Sequence, residues 1–320
     1  MNTSCTDPSS SSDRDLRVSV VVAARNAGST LEAFFDAMRR QTLRSELWEL
    51  IIVDDGSADA TPTIASNFSH AQLIRADRHV GLPAARNLGI VKARAPIVAL
   101  TDADCVPDPE WLENGVTEFA RTEHDLIAGA VTIPIGKAPT IAAVLDASRF
   151  LNQEQYVSDG FGAGANLWIK REVFSRVGLF NERLAAYGGD DEEFGQRATS
   201  HGASLGYASN IHIRHPPRSR ARQVARKAYR LGFGSAAQRR HAEGPLAAAP
   251  PAYRRRGGWI PMRTIRGLDR VRKHGFRPTK MQLFQLYVAQ YLLIQLPRTV
   301  GDVIGEVLQR LPRKVQRDSP

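Results

Sequence analysis

Ile97–Leu112 reads IVALTDADCVPDPEWL, an apolar run that stops on two carboxylates, Asp102 and Asp104, with one alanine between them. An apolar run of this length bounded by turn residues predicts a strand buried on both faces. Two like charges this close raise one another's pKa unless a cation lies between them. The pair is therefore either splayed into water, in a turn ahead of Pro107 and Pro109, or it holds a metal. The stretch alone does not choose.

Working outward, the same kind of run recurs. Val18–Ala24 (VSVVVAA) predicts a strand, and Leu47–Asp55 (LWELIIVDD) predicts a second that also ends in carboxylates, Asp54 and Asp55. Ala71–Ala76 gives a short third strand and Ala95–Asp104 the fourth. Between them, Leu31, Phe34, Phe35 and Met38 fall at helical spacing, and Leu82–Arg94 reads as a helix with Pro83 in its first turn. Short alternation of strand and helix argues for βαβ units and a mostly parallel sheet. Such sheets bind ligands at the carboxyl ends of their strands, where this chain sends four carboxylates. Downstream, the pattern predicts a helix from Asp108 to about Thr122, then a strand in DLIAGAVTI (Asp125–Ile133). A helix follows over 140–156, and the Gly-rich loop GFGAGANLWIK (Gly160–Lys170) enters a further strand. Arg171–Val177 reads as a helix closed by Gly178. Tyr187–Gly202 (YGGDDEEFGQRATSHG) is a glycine turn opening a helix with an acidic first turn, and short strands follow near 203–208 and 210–214.

The 320 residues, 42% of them hydrophobic, allow one sizeable α/β core with an appendage. Charge divides the chain. Met1–Ile213 carries 19 basic against 28 acidic residues, whereas Arg214–Pro320 carries 24 against 5. A mildly acidic body thus carries a strongly basic C-terminal third, which points to an anionic partner surface. Phe, Tyr and Trp do not interleave with the basic residues as a stacking platform requires, so no specific nucleic acid is expected. Residues 1–16 are polar and Ser-rich, which predicts a disordered lead and no signal peptide. The two cysteines, Cys5 and Cys105, form neither a disulfide framework nor a zinc spacing, so the expected setting is reducing and cytoplasmic. Residues 17–218 are expected to form the α/β domain and 219–320 a basic, mainly helical region with a Pro/Gly linker near 243–258. Met281–Pro297 has 17 residues without a charge, but four are glutamines and the run ends in proline, at the short limit for a membrane span. Val300, Val303, Ile304, Val307, Leu308 and Leu311 then fit an amphipathic helix.

Four segments can carry chemistry. Asp102 and Asp104 suit a hard divalent cation that shares its coordination with phosphate oxygens. Val53–Thr61 (VDDGSADAT) ends a strand with acceptors for a nucleoside N–H or hydroxyl, and Gly56 permits close backbone approach; a turn ahead of an N-capped helix explains it as simply. Arg86 could offset diphosphate charge, or be an ordinary surface arginine. The four acids in Gly188–Ala198 (GGDDEEFGQRA) exceed what a helix dipole calls for, and one could serve as a general base.

In this order and spacing, VSVVVAARN, IIVDDGS, GLPAARNLGI, LTDADC, GAGANLWIKREVFSRVGLFNERL, GGDDEEFGQR and IHIRHPP resemble family 2 glycosyltransferases of the GT-A fold, over about Val18–Arg218. The resemblance implies a mixed, mostly parallel sheet flanked by helices, followed by the basic helical extension. It implies a donor-nucleotide site of Ala24, Asn26, Asp54, Asp55, Gly56, Arg86 and Asp102. Asp104, with Asp102 and His215, would hold Mn2+ or Mg2+. Asp191 takes the place of the catalytic base, with Asp190 as second choice. Asp190 stands where Glu is commoner and Glu193 where Asp is commoner, changes that keep the charge and alter the reach. Gly164, Asn166, Trp168 and Glu193 fall on the acceptor side. The implied reaction is inverting transfer from a nucleotide-diphosphate sugar to a glycan, lipid-linked or small-molecule acceptor, in cell-envelope glycan, glycolipid or polysaccharide synthesis. Processive relatives carry Q-x-x-R-W; here Gln196 and Arg197 are adjacent with no Trp after them, which implies transfer of one sugar. The basic third suggests either a peripheral place on the cytoplasmic face of a membrane or helices that pack on the catalytic domain or a second subunit. A degenerate scaffold or an anionic-surface-binding protein is the alternative. A nucleotidyltransferase is disfavoured, because the first strand leads into AARNAGS with no lysine.

Overall fold

The computed structural model describes residues 16–184, 188–241, 268–272 and 276–310. The expected lead (except its last residue), the linker near 243–258 and Leu311 lie outside these residues. The chain forms two compact units: the first takes in the chain to Val131, Gln153–Phe180 and Phe194–Arg214, and the second Thr132–Asn152, Asn181–Glu193 and the chain from His215.

The first unit is built on an eight-stranded sheet. Its strands are β1 (Val18–Ala24), β2 (Trp48–Asp54), β3 (Ala71–Arg75), β4 (Ile97–Asp102), β5 (Val106–Pro107), β6 (Leu126–Thr132), β7 (Asn166–Lys170) and β8 (Leu205–Arg214), in the order β3-β2-β1-β4-β7-β6-β8-β5. β3, β2, β1 and β4 run parallel, whereas β7 is antiparallel to both β4 and β6, and β5 to β8. The sheet is therefore mixed, with its parallel half formed by the continuous β-branched runs. Ahead of the basic third the chain's helices are α1 (Leu31–Arg39), α2 (Thr61–Ser66), α3 (Leu82–Lys92), α4 (Trp111–Arg121), α5 (Ile141–Arg149), α6 (Gln153–Ser158), α7 (Arg171–Val177) and α8 (Asp190–Ser200); α5 and the first turn of α8 belong to the second unit. Val21, Ile51, Val53, Val98, Leu100 and Leu167 pack from the strands against Ile90 of α3, Val173 and Phe174 of α7 and Phe194 of α8. Burial of each such side chain contributes about 1.5–3 kcal/mol.

The chain leaves β1 to build β2 and β3 on one side, then returns to place β4 on the other. The carboxyl ends of β1 and β4 are thus a topological switch point, where a crevice opens. Register makes the placement specific: Ala24 pairs with Asp54 on one side, and Ala23 pairs with Asp102 on the other.

Three readings are corrected. The two short strands near 203–208 and 210–214 are one ten-residue strand, β8. Ser209 and Asn210 look like a turn, but both are simply exposed, and the Asn210 carbonyl accepts a bond from Asn114 Nδ2 at 2.8 Å. The helix expected over 140–156 is two helices, parted at Leu151, whose φ is +53°. The helix expected from Asp108 starts at Trp111, because β5 occupies Val106–Pro107.

The second unit contains α5 and, from the basic third, α9 (Ala221–His241), α10 (Lys280–Gln290), a π-helical segment (Tyr291–Gln295) and α11 (Leu296–Arg310). α11 packs along α9. Thr279 and Gln282 form a reciprocal capping box at the start of α10. Arg270 donates to the carbonyls of Phe150 (3.0 Å) and Leu151 (3.2 Å), capping the open end of α5. Asp146, fully buried on α5, accepts from the backbone N–H of Arg218 at 2.9 Å and from its Nη1 at 3.2 Å.

Candidate active site

At the end of β2, Asp54 is 1% exposed. Its Oδ1 accepts from Ser57 N at 3.2 Å; its Oδ2 is buried with no hydrogen bond, and Arg75 Nε lies 3.6 Å away. A buried carboxylate oxygen left in this state is costly unless a donor arrives. Asp54 thus keeps one buried oxygen without a hydrogen bond, beside the Arg75 guanidinium. Asp55 is differently employed. Its Oδ1 accepts from Val80 N at 2.6 Å, its Oδ2 from Gly81 N at 3.1 Å, and His79 Nδ1 lies 2.8 Å from Oδ2. It clamps the chain entering α3, at the positive end of that helix. Gly56 has φ +65°, and a Cβ there would stand 2.7 Å from His79 N, so no larger residue fits. Asn26, exposed with φ +51°, accepts at Oδ1 from Ala58 N at 2.9 Å and donates its own N–H to Ser57 Oγ at 2.9 Å, tying the loop after β2 to the end of β1.

At the end of β4, Asp102 keeps 31% of its side chain exposed. Its Oδ1 is 3.3 Å from Nη2 of Arg86, which is only 4% exposed. The Arg86 guanidinium lies 5.7 Å from the centre of the Phe180 ring, and a Cβ on Gly164 would collide with it. Arg86 is therefore an internal brace that orients Asp102, and Gly164 leaves it the room. The neighbouring Asn87 exchanges two bonds with the Phe180 backbone, at 2.9 and 3.0 Å, and fixes that ring.

Asp102, Asp104 and the buried Cys105 each offer a ligand atom, all within 4.8 Å of one another. Burial, and then the charges of Asp102 and Asp104, push the Cys105 thiol well above its ordinary pKa. Two of the three groups are carboxylates, and hard oxygens suit Mg2+ or Mn2+.

The second unit holds the remaining candidates. Gly188 and Gly189, at φ +82° and +87°, turn the chain into α8, whose first turn is Asp190, Asp191, Glu192 and Glu193. Asp190 is 3% exposed, whereas Asp191 and Glu193 are half-buried. Asp191 Oδ1 accepts from Glu192 N at 2.9 Å. Burial, and then Arg226, lower the pKa of Arg230 on α9, while the negative charge of Asp190 opposes the fall. His215, immediately after β8 in the chain, is 3% exposed. Its Nδ1 lies 2.8 Å from the Pro216 carbonyl. A carbonyl can only accept, so Nδ1 is the donor in this contact.

Two expected acceptor-side residues lie in the core. Asn166 is fully buried: its Oδ1 accepts from Trp111 Nε1 (3.0 Å) and Trp168 Nε1 (3.1 Å), and its Nδ2 donates to the Ala130 and Ile211 carbonyls (3.0 and 2.9 Å). Trp168 is fully buried and stands edge-on to Trp111, with ring centres 5.1 Å apart. Both side chains are engaged inside the sheet unit. Arg197 donates to the Val177 carbonyl and, at 2.8 Å, to that of Leu179, so it too is internal. Sequence reasoning missed Arg75 and Phe180. Arg75 was within reach, since it pairs in register with Asp54 at the ends of β3 and β2; Phe180 carried no signal.

Comparison with known proteins agrees with this geometry. The mannosyltransferase PcManGT from Pyrobaculum calidifontis, solved with GDP-Man and Mn2+, superposes with a TM-score of 0.62 at 18% identity, over 92% of this chain and 88% of that one. Staphylococcus aureus TarS 1–349 superposes at 0.52 and 14% identity, over 92% and 90%. These likenesses establish the GT-A fold. In sequence, glycosyltransferase AglE of Haloferax volcanii is 32% identical over 222 residues, 68% of this chain and 72% of AglE. The dodecaprenyl-phosphate galacturonate synthase of Rhizobium johnstonii is 34% identical over 128 residues, 38% of this chain and 37% of that protein. The profile of glycosyl transferase family 2 matches residues 19–178. Carboxylates gathered at the β1/β4 switch point, on a sheet of this order and with this sequence kinship, have one reading: the chain belongs to glycosyl transferase family 2 and is a glycosyltransferase.

Proposed function

We propose that the chain moves one sugar from a nucleotide-diphosphate donor to an acceptor hydroxyl, with inversion at the anomeric carbon. The observation that carries this reading is the pairing of a buried, unsatisfied Asp54 oxygen with the braced Asp102 and its neighbour Asp104 at one strand edge. Asp54 accepts from a nucleobase or ribose donor, while Ala24, Asn26 and Gly56 line its approach and Asp55 holds the loop beside it. Asp104 and Asp102, with His215, hold a divalent cation. The cation, when bound, offsets the charge that grows on the departing diphosphate. Asp191 takes the proton from the acceptor hydroxyl as it attacks the face opposite the nucleotide, and Asp190 is the second choice for that role. An aspartate is already ionised at neutral pH, so Asp191 needs position more than a displaced pKa. Gly164 and Glu193 remain on the acceptor side.

The acceptor is a lipid-linked or envelope glycan reached at an anionic membrane surface. The basic C-terminal third supports this, as does the likeness to a dodecaprenyl-phosphate galacturonate synthase. The metal and donor classes are supported by PcManGT with GDP-Man and Mn2+, and by TarS with UDP-GlcNAc.

The test is calorimetric titration of UDP, GDP and dTDP in Mn2+, Mg2+ or EDTA. One nucleotide is expected to bind in metal and to weaken at least about tenfold in EDTA and in Asp104→Ala. Failure of all three by folded protein in every condition overturns the donor site.

A further inference from the structure

Thirteen large hydrophobic residues are exposed among the described residues, and ten of them lie between Met281 and Ile304. Met281, Phe284, Tyr291, Leu292, Val300 and Val303 recur at helical spacing on α10, the π-helical segment and α11. The opposite face, with Leu286, Gln290, Ile294, Gly301 and Asp302, is buried. Arg298 and Asp302 are the stretch's two charged residues; Asp302 is fully buried and Arg298 half-buried. An apolar face without an exposed charge thus runs for roughly 36 Å at 1.5 Å per residue. Monomeric soluble proteins rarely leave so long a strip open to water without a partner.

We infer that this face docks onto an anionic lipid bilayer, lying in its interface. The inference rests on the membrane-surface part of the function proposed above and identifies the residues that make the contact. No described helix is long and apolar enough to cross a membrane, so the geometry is that of a helix lying flat. The surroundings fit an anionic surface. Exposed Arg272, Arg277 and Lys280 lead into the strip, and exposed Arg222 and Arg226 stand on α9, with exposed Arg220 just ahead of it. The same charge opposes a second copy as occupant, because self-pairing would bring together two regions with 24 basic against 5 acidic residues each. Phe284, Leu292 and Val303 enter the acyl boundary, and the cations meet the headgroup phosphates.

The test is flotation of the full chain with vesicles of phosphatidylcholine alone or with about 30% phosphatidylglycerol. Wild type is expected to float with the anionic vesicles and not with the neutral ones. Phe284→Ser/Leu292→Ser/Val303→Ser is expected to lower that partition at least about tenfold, with nucleotide titration and urea unfolding unchanged. Retained nucleotide binding separates failure of docking from failure of the donor site. Equal flotation of wild type and variant overturns the inference. So does a lipid-free dimer that the variant splits, which assigns the face to a second copy. A loss of stability in the variant assigns it to cover by the chain itself.

Discussion

In the sheet unit, Val20, Ile52, Leu100 and Leu167 are fully buried, and the carboxylates collect at one strand edge. In the helical unit, residues of the same apolar kinds on α10 and α11 face water, and the C-terminal third that carries them is strongly basic. The contrast is one of covering layers. A parallel strand is covered on both faces, so every apolar position goes inside. α10 and α11 are covered on one face, and their other face keeps its apolar residues without cover. The acidic edge suits a metal and diphosphate. The apolar strip, with exposed basic residues leading into it, suits placement at a surface.

If donor binding and proton abstraction belong to different units, one substitution should separate them. Asp191→Asn is expected to lower transfer about a thousandfold with nucleotide affinity unchanged, measured by product formation and calorimetry. A parallel loss of nucleotide affinity would erase the division. The next largest effect concerns stability. Asn166→Ala leaves two buried indole N–H groups and two carbonyls without partners, and should lower unfolding free energy by about 3 kcal/mol in urea titration. A cost under about 0.5 kcal/mol, as for an ordinary surface change, would mean that the sheet core does not depend on its polar hub. The smallest effect is electrostatic and sits at the far end of the sheet unit. Burial raises the pKa of Asp125, but its bonds from Arg176 and Ser204, with the nearby Lys170, outweigh burial and hold it below its ordinary value. A depressed carboxyl pKa stabilises the fold above the unfolded value, and the benefit is lost as pH falls through the folded value. Asp125→Asn should therefore cost about 0.5 kcal/mol near neutrality and nothing once the pH lies below both values, as read from urea midpoints across pH.

Much of the sheet was legible because its strands are unbroken β-branched runs: β1, β2 and β4 end within a residue or two of where their apolar runs end. The carboxylates at those ends were legible for the same reason. What escaped depends on distant partners. Nothing local distinguishes Ser209–Asn210 from a turn; the bond from Asn114 to Asn210 lies almost a hundred residues away in the chain. β5 is two residues long and exists through its pairing with β8. From the sequence Arg86 reads as a diphosphate partner or a surface arginine, and only its packing against Gly164 and Phe180 shows that it is buried beside Asp102. Asn166 and Trp168 followed a flexible-looking glycine loop, yet Trp111, from another part of the chain, draws them inside.

The shared amide of Asn166 has an optical consequence. Two of the chain's four tryptophans, Trp111 and Trp168, are held rigidly edge to face on one acceptor. Indoles fixed this close in an asymmetric setting couple their transitions and give a strong near-ultraviolet circular dichroism band. That band tracks the integrity of the sheet unit without a label, so this unit carries its own spectroscopic gauge.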